Sequence, residues 1–186
     1  PDGQTVVFCL WRTEQKKQKK YSNLWVVATA GGAPRQFTYG DQVDGQPRWS
    51  PDGSQIAFIS NRADKDQPQL YIIPIDGGEA RPLTNLKGEF GDFAWSSDGK
   101  QLVCSFRKKD KEVLEREADE QKKALGVVER HITRLVYKAD GDGFLPKERW
   151  HIHIIDARTG KATRLTEGEI YDELEPQGSP DGEYIL

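Results

Sequence analysis

Residues 49–60 of the chain read WSPDGSQIAFIS and combine a tight turn with a short apolar strand. Pro51 has the fixed φ that suits the first central position of a type I turn, and Asp52 is tolerated at the second. Gly53 supplies the left-handed residue that follows such a turn. Residues 56–59 then form an apolar run of the length expected for a strand that is buried on both faces.

This turn and strand recur along the chain. The aspartate of the turn lies at positions 2, 52, 98 and 181, so its steps are 50, 46 and 83 residues. A second marker is an apolar strand, a glycine turn and a Leu-Thr or Phe-Thr pair, and its threonine lies at positions 38, 84 and 166. The two markers keep the same spacing within a residue, which indicates a structural repeat.

Each repeat predicts four short strands: one ending at a tryptophan, one after the Asp-Gly turn, one before the glycine turn and one with the threonine. Four antiparallel strands in roughly 40–50 residues have the size of one β-propeller blade. We therefore predict an all-β chain, a β-propeller fragment of about three four-stranded blades. The predicted repeat units are residues 1–49, 50–95 and 96–178, and residues 179–186 begin a fourth. An ordinary antiparallel sandwich is the alternative fold, but it does not require a fixed period.

The third unit contains an insertion at about residues 107–149, because its step is 37 residues longer than the preceding one. Asp110 suits the N-cap of a helix, and Gly126 suits its end. Apolar residues then predict a strand over residues 128–137. The sequence DGDG at residues 140–143 predicts a turn.

These motifs resemble the propeller of the prolyl oligopeptidase family of serine peptidases, and TolB-type propellers share much of the same signature. The shared features are SPDG after a tryptophan, and LWVV (residues 24–27) or LYII (residues 70–73) before a Gly-Gly turn. Residues 127–166 are similar to the acylaminoacyl-peptidase and bacterial dipeptidyl-peptidase branch. In that branch a basic-aromatic strand and a DG-x-G-aromatic turn are inserted into one blade. The last repeat departs from the pattern, since Gly178 stands in place of the tryptophan.

The resemblance implies that the chain is the non-catalytic propeller part of a serine peptidase whose α/β-hydrolase domain lies elsewhere in the same polypeptide. Such a propeller caps the active site and restricts access to short peptides. The alternative is a TolB-like propeller that binds protein or peptide partners without enzymatic activity. A homo-oligomer is compatible with either function.

Sequence motifs for catalysis or metal binding do not account for a function of this chain alone. The G-x-S-x-G elbow of a serine hydrolase is not in the sequence, and the GSPDG at residues 178–182 is explained by the repeat turn. His151 and His153 have the spacing of a zinc pair with His131 as a third ligand, but no HExxH motif or cysteine cluster supports it. The DGDG sequence lacks the later ligands of a calcium loop. We predict no catalytic residue, no metal and no cofactor here.

The candidate binding site is the acidic loop, residues 167–175, with the sequence EGEIYDELE. By blade connectivity this loop and the insertion emerge on the same propeller face. Carboxylates that face a central cavity can hold the α-amino group of a peptide through charge-assisted hydrogen bonds. Related dipeptidyl peptidases use propeller glutamates in this way, although their motif does not match these positions, and a solvated loop is the alternative. The candidate substrate-binding residues are Glu167, Glu169, Asp172, Glu173 and Glu175.

The composition of the chain limits which binding partners and which cellular compartment we expect. The net charge of −3 gives no reason to expect nucleic acid, and no apolar run approaches the ~20 residues of a membrane helix. Cys9 and Cys104 lie on strands of different units, which favours buried free thiols, a reducing compartment and therefore a cytoplasmic location. Both ends of the sequence fall within a repeat, which predicts a piece of a longer polypeptide.

Overall fold

The computed structural model describes residues 1–127, 129–140 and 143–186. In chain order, the strands of the first two sheets are β1 (Thr5–Glu14), β2 (Lys19–Ala28), β3 (Arg35–Gln36), β4 (Asp44–Trp49), β5 (Gln55–Ser60), β6 (Gln69–Pro74) and β7 (Arg81–Pro82). The remaining elements are β8 (Gly88–Trp95), β9 (Gln101–Lys108), α1 (Lys111–Glu117), α2 (Glu120–Leu125), β10 (Lys138–Ala139), β11 (Gly143–Phe144), β12 (Trp150–Asp156) and β13 (Ala162–Arg164).

Three antiparallel sheets follow one another along the chain. Their orders are β1-β2-β3, β4-β5-β6-β7 and β8-β9-β12-β13, and a small hairpin β10-β11 lies within the third. Each four-stranded sheet begins with the strand that ends at Trp49 or Trp95. Sequential strands that pair with their neighbours, sheet after sheet, are the arrangement of propeller blades. The predicted all-β propeller fragment is confirmed, with three described strands in the first sheet.

Two apolar cores separate the three sheets. The first core, between the first two sheets, contains Leu24, Ile56 and Phe58. The second core, between the second and third sheets, contains Ala57 and Leu102. Successive residues of β5 therefore face opposite cores, as a strand requires. This confirms the prediction that residues 56–59 are buried on both faces.

The Asp-Gly turns form the same corner at each repeat. Ser50 Oγ donates to Asp52 Oδ1 at 2.6 Å and accepts from the backbone N–H of Gln55 at 3.0 Å. Gly53 has a φ of 71°, the left-handed conformation that the sequence predicts. The serines and aspartates of the later corners make equivalent bonds, Ser96 with Asp98 and Ser179 with Asp181.

Neighbouring corners also contact one another. A Cβ placed on Gly53 would lie 3.5 Å from Pro1 Cγ, and one on Gly99 would lie 3.5 Å from Pro51 Cδ. Ser97 holds the corresponding place beside the next corner, since a Cβ on Gly182 would lie 3.2 Å from its Oγ. Each corner therefore packs its second residue against the glycine of the following corner.

The three repeat threonines share one role. Thr38 Oγ1 accepts the backbone N–H of Leu24 at 2.9 Å. In the next two sheets, Thr84 and Thr166 accept from Leu70 and Ile152 at 3.1 and 2.9 Å. Each hydroxyl then donates to a different acceptor: Asp44, Gln69 or Glu173. This shared bond explains why the threonine keeps the repeat spacing.

The insertion differs from its predicted form at the helix. Two short helices, α1 and α2, replace the single predicted one, and Asp119 caps the second through the N–H groups of Gln121 and Lys122. Asp110 occupies the N-cap position of α1, as predicted, but its side chain makes no capping hydrogen bond. Its carboxylate instead accepts the backbone N–H of Lys147, at 3.0 Å, and so closes the base of the insertion. The predicted helix end at Gly126 is confirmed, with a φ of 70°.

The strand predicted over residues 128–137 is also wrong. Residue 128 lies outside the described residues, and residues 129–137 form no strand. A strand needs a partner edge, but the neighbouring strands β9 and β12 pair with each other from Arg107 and Trp150 onward. Apolar residues of this stretch stay exposed instead, Leu135 by 95%. The turn predicted at residues 140–143 includes residues 141 and 142, which lie outside the described residues.

Both cysteines are free thiols in different sheets. Cys104 is fully buried in the second core, and burial raises its pKa to about 12. Cys9 is half-buried on β1. A thiol with so high a pKa stays protonated and packs as a small apolar group.

The helices of the described residues are all too short or too polar to cross a membrane.

The corner at Asp52 predicts how stability depends on pH. Hydrogen bonds from Ser50 and Ser54 lower the pKa of Asp52 to about 2, below the value of about 4 in an unfolded chain. The ionised carboxylate therefore stabilises the fold above about pH 4, and this contribution is lost as the pH falls towards 2. We expect Asp52→Asn to lower the thermal unfolding midpoint at pH 7 and to make it fall less steeply between pH 4 and 2.

The control for this pH series is Asp76→Asn. The Asp76 carboxylate is exposed and makes no hydrogen bond or ion pair within the described residues. An Asp52→Asn variant with the same acid profile as the parent protein and the control would contradict the prediction.

Candidate functional site at the insertion and the acidic loop

The insertion and the acidic loop meet where β12 begins. Arg149 lies 3.3 Å from Asp172 through Nη1 and donates from Nε to the carbonyl of Glu169 at 3.1 Å. Trp150 N–H donates to Asp172 Oδ1 at 3.0 Å, and its carbonyl accepts the N–H of Glu173 at 3.0 Å. The two segments therefore lie at the same end of the third sheet, as blade connectivity predicts.

A cavity of about 940 Å³ opens between these two segments. One wall comes from the insertion, and the other includes residues 167–169 of the acidic loop. Apolar side chains such as Val113, Tyr137 and Phe144 line it together with side chains of both charges. Ligand pockets for small molecules occupy about 300–1,000 Å³, so the cavity has room for a short peptide.

Glu173 is held inside the loop by side-chain hydrogen bonds. Thr166 Oγ1 donates to Glu173 Oε2, and His151 Nδ1 lies 3.2 Å from the same oxygen. These bonds, that of Thr166 first, lower the pKa of Glu173. On the other side of the ring, His151 Nε2 lies 2.9 Å from Arg164 Nη2. A guanidinium only donates, so Nε2 accepts and Nδ1 carries the proton that is donated to Glu173.

The hydrogen bond from Thr166 to Glu173 has a counterpart in the first sheet. There Thr38 donates to the fully buried carboxylate of Asp44, which lies six residues further along the chain. In the third sheet Thr166 donates to Glu173, seven residues further along. Both carboxylates fasten the loop that leaves the last strand of a blade. Glu173 therefore holds the acidic loop in place.

The structure divides the five candidate carboxylates into three groups. Glu167 and Glu169 line the cavity. Asp172 and Glu173 accept hydrogen bonds from the start of β12 and from Thr166, and so pin the loop. Glu175 is exposed, has a φ of 55° and is not part of the cavity lining. The peptide-binding role stays a prediction, and the geometry favours the first pair.

The histidines of the third sheet are structural. His153 is buried, with Nδ1 3.0 Å from the carbonyl of His151 and its ring edge-on to Phe106 at 5.4 Å. Burial lowers the pKa of His153. His131 lines the cavity, as does the Arg164-bonded ring of His151. Across the described ranges, no group of three or more His, Cys, Asp or Glu side chains is arranged to hold a metal ion.

Sequence reasoning missed two arginines of the cavity wall. The Arg130 guanidinium lies 4.1 Å from the centre of the Phe144 ring, and Arg134 Nη2 donates to the carbonyl of Pro146 at 2.7 Å. The available signal was a pair of arginines four residues apart before an aromatic residue. This signal does not stand out because the apolar residues around the arginines favour a strand.

Comparison with known proteins gives the family. Residues 1–129 match the profile of PD40, the TolB β-propeller domain. The chain belongs to this family. Over its full 186 residues it is 31% identical to the uncharacterized peptidase YuxL of Bacillus subtilis (strain 168), and it spans 28% of the length of that protein.

Solved structures give the same fold. An acylaminoacyl peptidase of Pyrococcus horikoshii superposes with a TM-score of 0.71 at 17% identity, over 98% of this chain and 25% of that one. TolB of Acinetobacter baumannii gives a TM-score of 0.63 at 20% identity, over 100% of this chain and 35% of that one. The predicted resemblance to a propeller portion shared by peptidases and TolB is confirmed.

The role of Glu173 as a loop anchor predicts a local change in dynamics. Glu173→Ala removes the acceptor that Thr166 and His151 share, which loosens residues 167–173. Hydrogen bonds to a charged group contribute about 1.5–3 kcal/mol, so amide hydrogen exchange across this segment should be faster by about tenfold or more. Mass spectrometry of the full-length protein measures the exchange, and Glu175→Ala is the matched control. Equal exchange in the two variants would show that Glu173 does not hold the loop.

Proposed function

We propose that the chain is part of the propeller of a serine peptidase, where it covers the active site of an α/β-hydrolase domain and admits only short or unstructured peptides. The observation that carries this proposal is the relation to a protein named as a peptidase. The identity of 31% extends over every residue of the chain, while the chain accounts for only 28% of that relative. The rest of such a polypeptide has ample length for a catalytic domain.

The local structure supports a role in substrate access. The third sheet carries a long insertion at the end where the acidic loop also lies, and the two enclose a cavity large enough for a short peptide. Neither segment contains a serine elbow. A wall of this kind selects by size and charge and needs no catalytic residue of its own.

Fluorophosphonate labelling tests the enzymatic part of the proposal. The full-length native protein, separated on a denaturing gel, should give a labelled band far heavier than the 21.1 kDa of this chain. Untreated full-length protein should cleave short peptides and spare a folded protein that carries the same cleavable sequence in a structured segment. Equal cleavage of the two substrates would contradict the size restriction.

The TolB-like binding propeller is the second candidate function. It is favoured by the family profile, which covers residues 1–129, and by the superposition on TolB of Acinetobacter baumannii. A correctly folded full-length protein that is not labelled would support it over the peptidase.

Within the cavity we propose that Glu167 and Glu169 receive the α-amino group of the peptide. Both carboxylates line the cavity, on either side of Gly168. Neither forms an ion pair or side-chain hydrogen bond with another described residue. The loop that carries them is fixed by Asp172 and Glu173, so their positions are held without using their own charges.

This binding role predicts selective effects of charge removal. The double variant Glu167→Gln, Glu169→Gln should raise KM about tenfold for peptides with a free amino group, because a charge-assisted hydrogen bond is lost. KM for N-acetylated peptides should stay unchanged. Steady-state kinetics of the full-length protein measure both, with Glu175→Gln as the control. A similar KM increase for free and acetylated peptides would remove these residues from amine recognition.

A further inference from the structure

The two arginines of the insertion are held in place by groups that do not neutralise them. Arg130 lies with its guanidinium 4.1 Å from the centre of the Phe144 ring. Arg134 is half-buried, and its Nη2 donates a hydrogen bond to the carbonyl of Pro146 at 2.7 Å. Both side chains line the cavity. The Phe144 ring thus positions Arg130, and the Pro146 carbonyl positions Arg134. Neither group carries a negative charge that would neutralise the guanidinium.

Two other cations of the same cavity are paired with carboxylates, whereas Arg116 and Arg164 also line it without a carboxylate partner among the described residues. Lys147 forms an ion pair with Glu112 at 2.6 Å, and Arg149 pairs with Asp172 at 3.3 Å. Within the part of the chain that the structure describes, Arg130 and Arg134 have no carboxylate at ion-pair distance. The cavity therefore contains guanidinium groups with donors available to a ligand, and contacts within the insertion position two of them, Arg130 and Arg134.

The chemistry of these groups favours a carboxylate. A guanidinium presents its donors in a planar fork that matches the two oxygens of a carboxylate or phosphate. The Phe144 ring lies beside the Arg130 guanidinium and offers no oxygen acceptor, so the N–H donors of Arg130 remain for such a bidentate contact.

The surrounding charges decide between a carboxylate and a multiply charged anion. Glu129 and Glu148 also line the cavity, and Glu167 and Glu169 line its other wall. The lining thus holds carboxylates as well as guanidinium groups, and this mixture suits a phosphate group, with its roughly two negative charges, less well than a ligand that carries both signs. A ligand with one positive and one negative end satisfies both sets of side chains.

We propose that Arg130 and Arg134 bind the carboxylate of a short peptide whose α-amino group lies towards Glu167 and Glu169. The cavity then recognises zwitterionic oligopeptides, which makes it a site for short substrates or for the products of their cleavage. This inference rests on the proposed peptide-handling function of the cavity. It extends that function from one charged end of the peptide to both.

The first test changes only the ligand. The full-length protein is treated with a fluorophosphonate, so that any serine hydrolase activity is blocked, and peptide binding is measured by calorimetry. Trialanine with both ends free should bind about tenfold more tightly than its C-terminal amide, because the amide loses a charge-assisted pair. Equal affinities of the acid and the amide would overturn the proposal.

A third peptide identifies the source of the carboxylate. Ala-Asp-Ala amide lacks a free C-terminus but has a side-chain carboxylate. If this peptide binds about as tightly as trialanine, the arginines recognise the carboxylate of an acidic side chain. If it binds weakly, they recognise the C-terminal carboxylate. Both outcomes support a carboxylate site. Competition by millimolar inorganic phosphate as effective as that by trialanine would overturn the peptide assignment.

Protein variants provide the second test. Arg130→Gln with Arg134→Gln should abolish the preference for the acid over the amide, whereas Arg158→Gln, an exposed arginine in the turn after β12, should keep it. Circular dichroism checks that the variants are folded, and a retained preference in the folded double variant would contradict the proposal. A protein that resists fluorophosphonate labelling yet keeps the acid preference would refute the peptidase function alone.

Discussion

One hydroxyl group at the end of each blade fixes how the chain continues. Thr38, Thr84 and Thr166 each accept a backbone N–H from the adjacent strand, which leaves the hydroxyl proton to be donated elsewhere. A buried polar group without a partner costs about 1–3 kcal/mol, so an acceptor must be supplied nearby. The sheets meet this demand differently: a carboxylate further along the chain accepts the bond in the first and third sheets, and Gln69 accepts it in the second. The choice of acceptor sets the path of the loop.

The candidate site follows from that choice in the third sheet. Because Glu173 returns to Thr166, the residues between them form a short projection beside the insertion. Asp172 ties the same projection to Arg149 and Trp150 at the base of the insertion. Hydrogen bonds between residues about 22 positions apart therefore hold the two walls of the cavity together. Because one partner lies at the start of β12, the position of this strand in the sheet determines where the charged groups of the loop lie.

Sequence spacing predicted the repeat, the corners and the doubly buried strand because these depend on local turn chemistry and on alternation. It failed for the capping bond of Asp110 and for the strand predicted over residues 128–137, since such a bond or a strand also needs a partner that spacing does not reveal. The acidic loop shows the same limit. Its five carboxylates look equivalent in sequence, but the hydrogen bonds of Asp172 and Glu173 come from residues that only the folded sheet brings near.

The contacts between successive corners have a geometric consequence for the arrangement of blades. Pro1 lies against Gly53 and Pro51 against Gly99, so each corner offers one surface to the corner before it and another to the corner after it. Such a head-to-tail contact relates neighbours by a rotation, in the manner of subunits in a cyclic oligomer. A Cβ on Gly53 or Gly99 would meet the neighbouring proline at 3.5 Å, an ordinary contact distance, so it is the left-handed φ of the corner, rather than a lack of space, that requires glycine there. A local turn motif thereby contributes to the curvature of the entire ring.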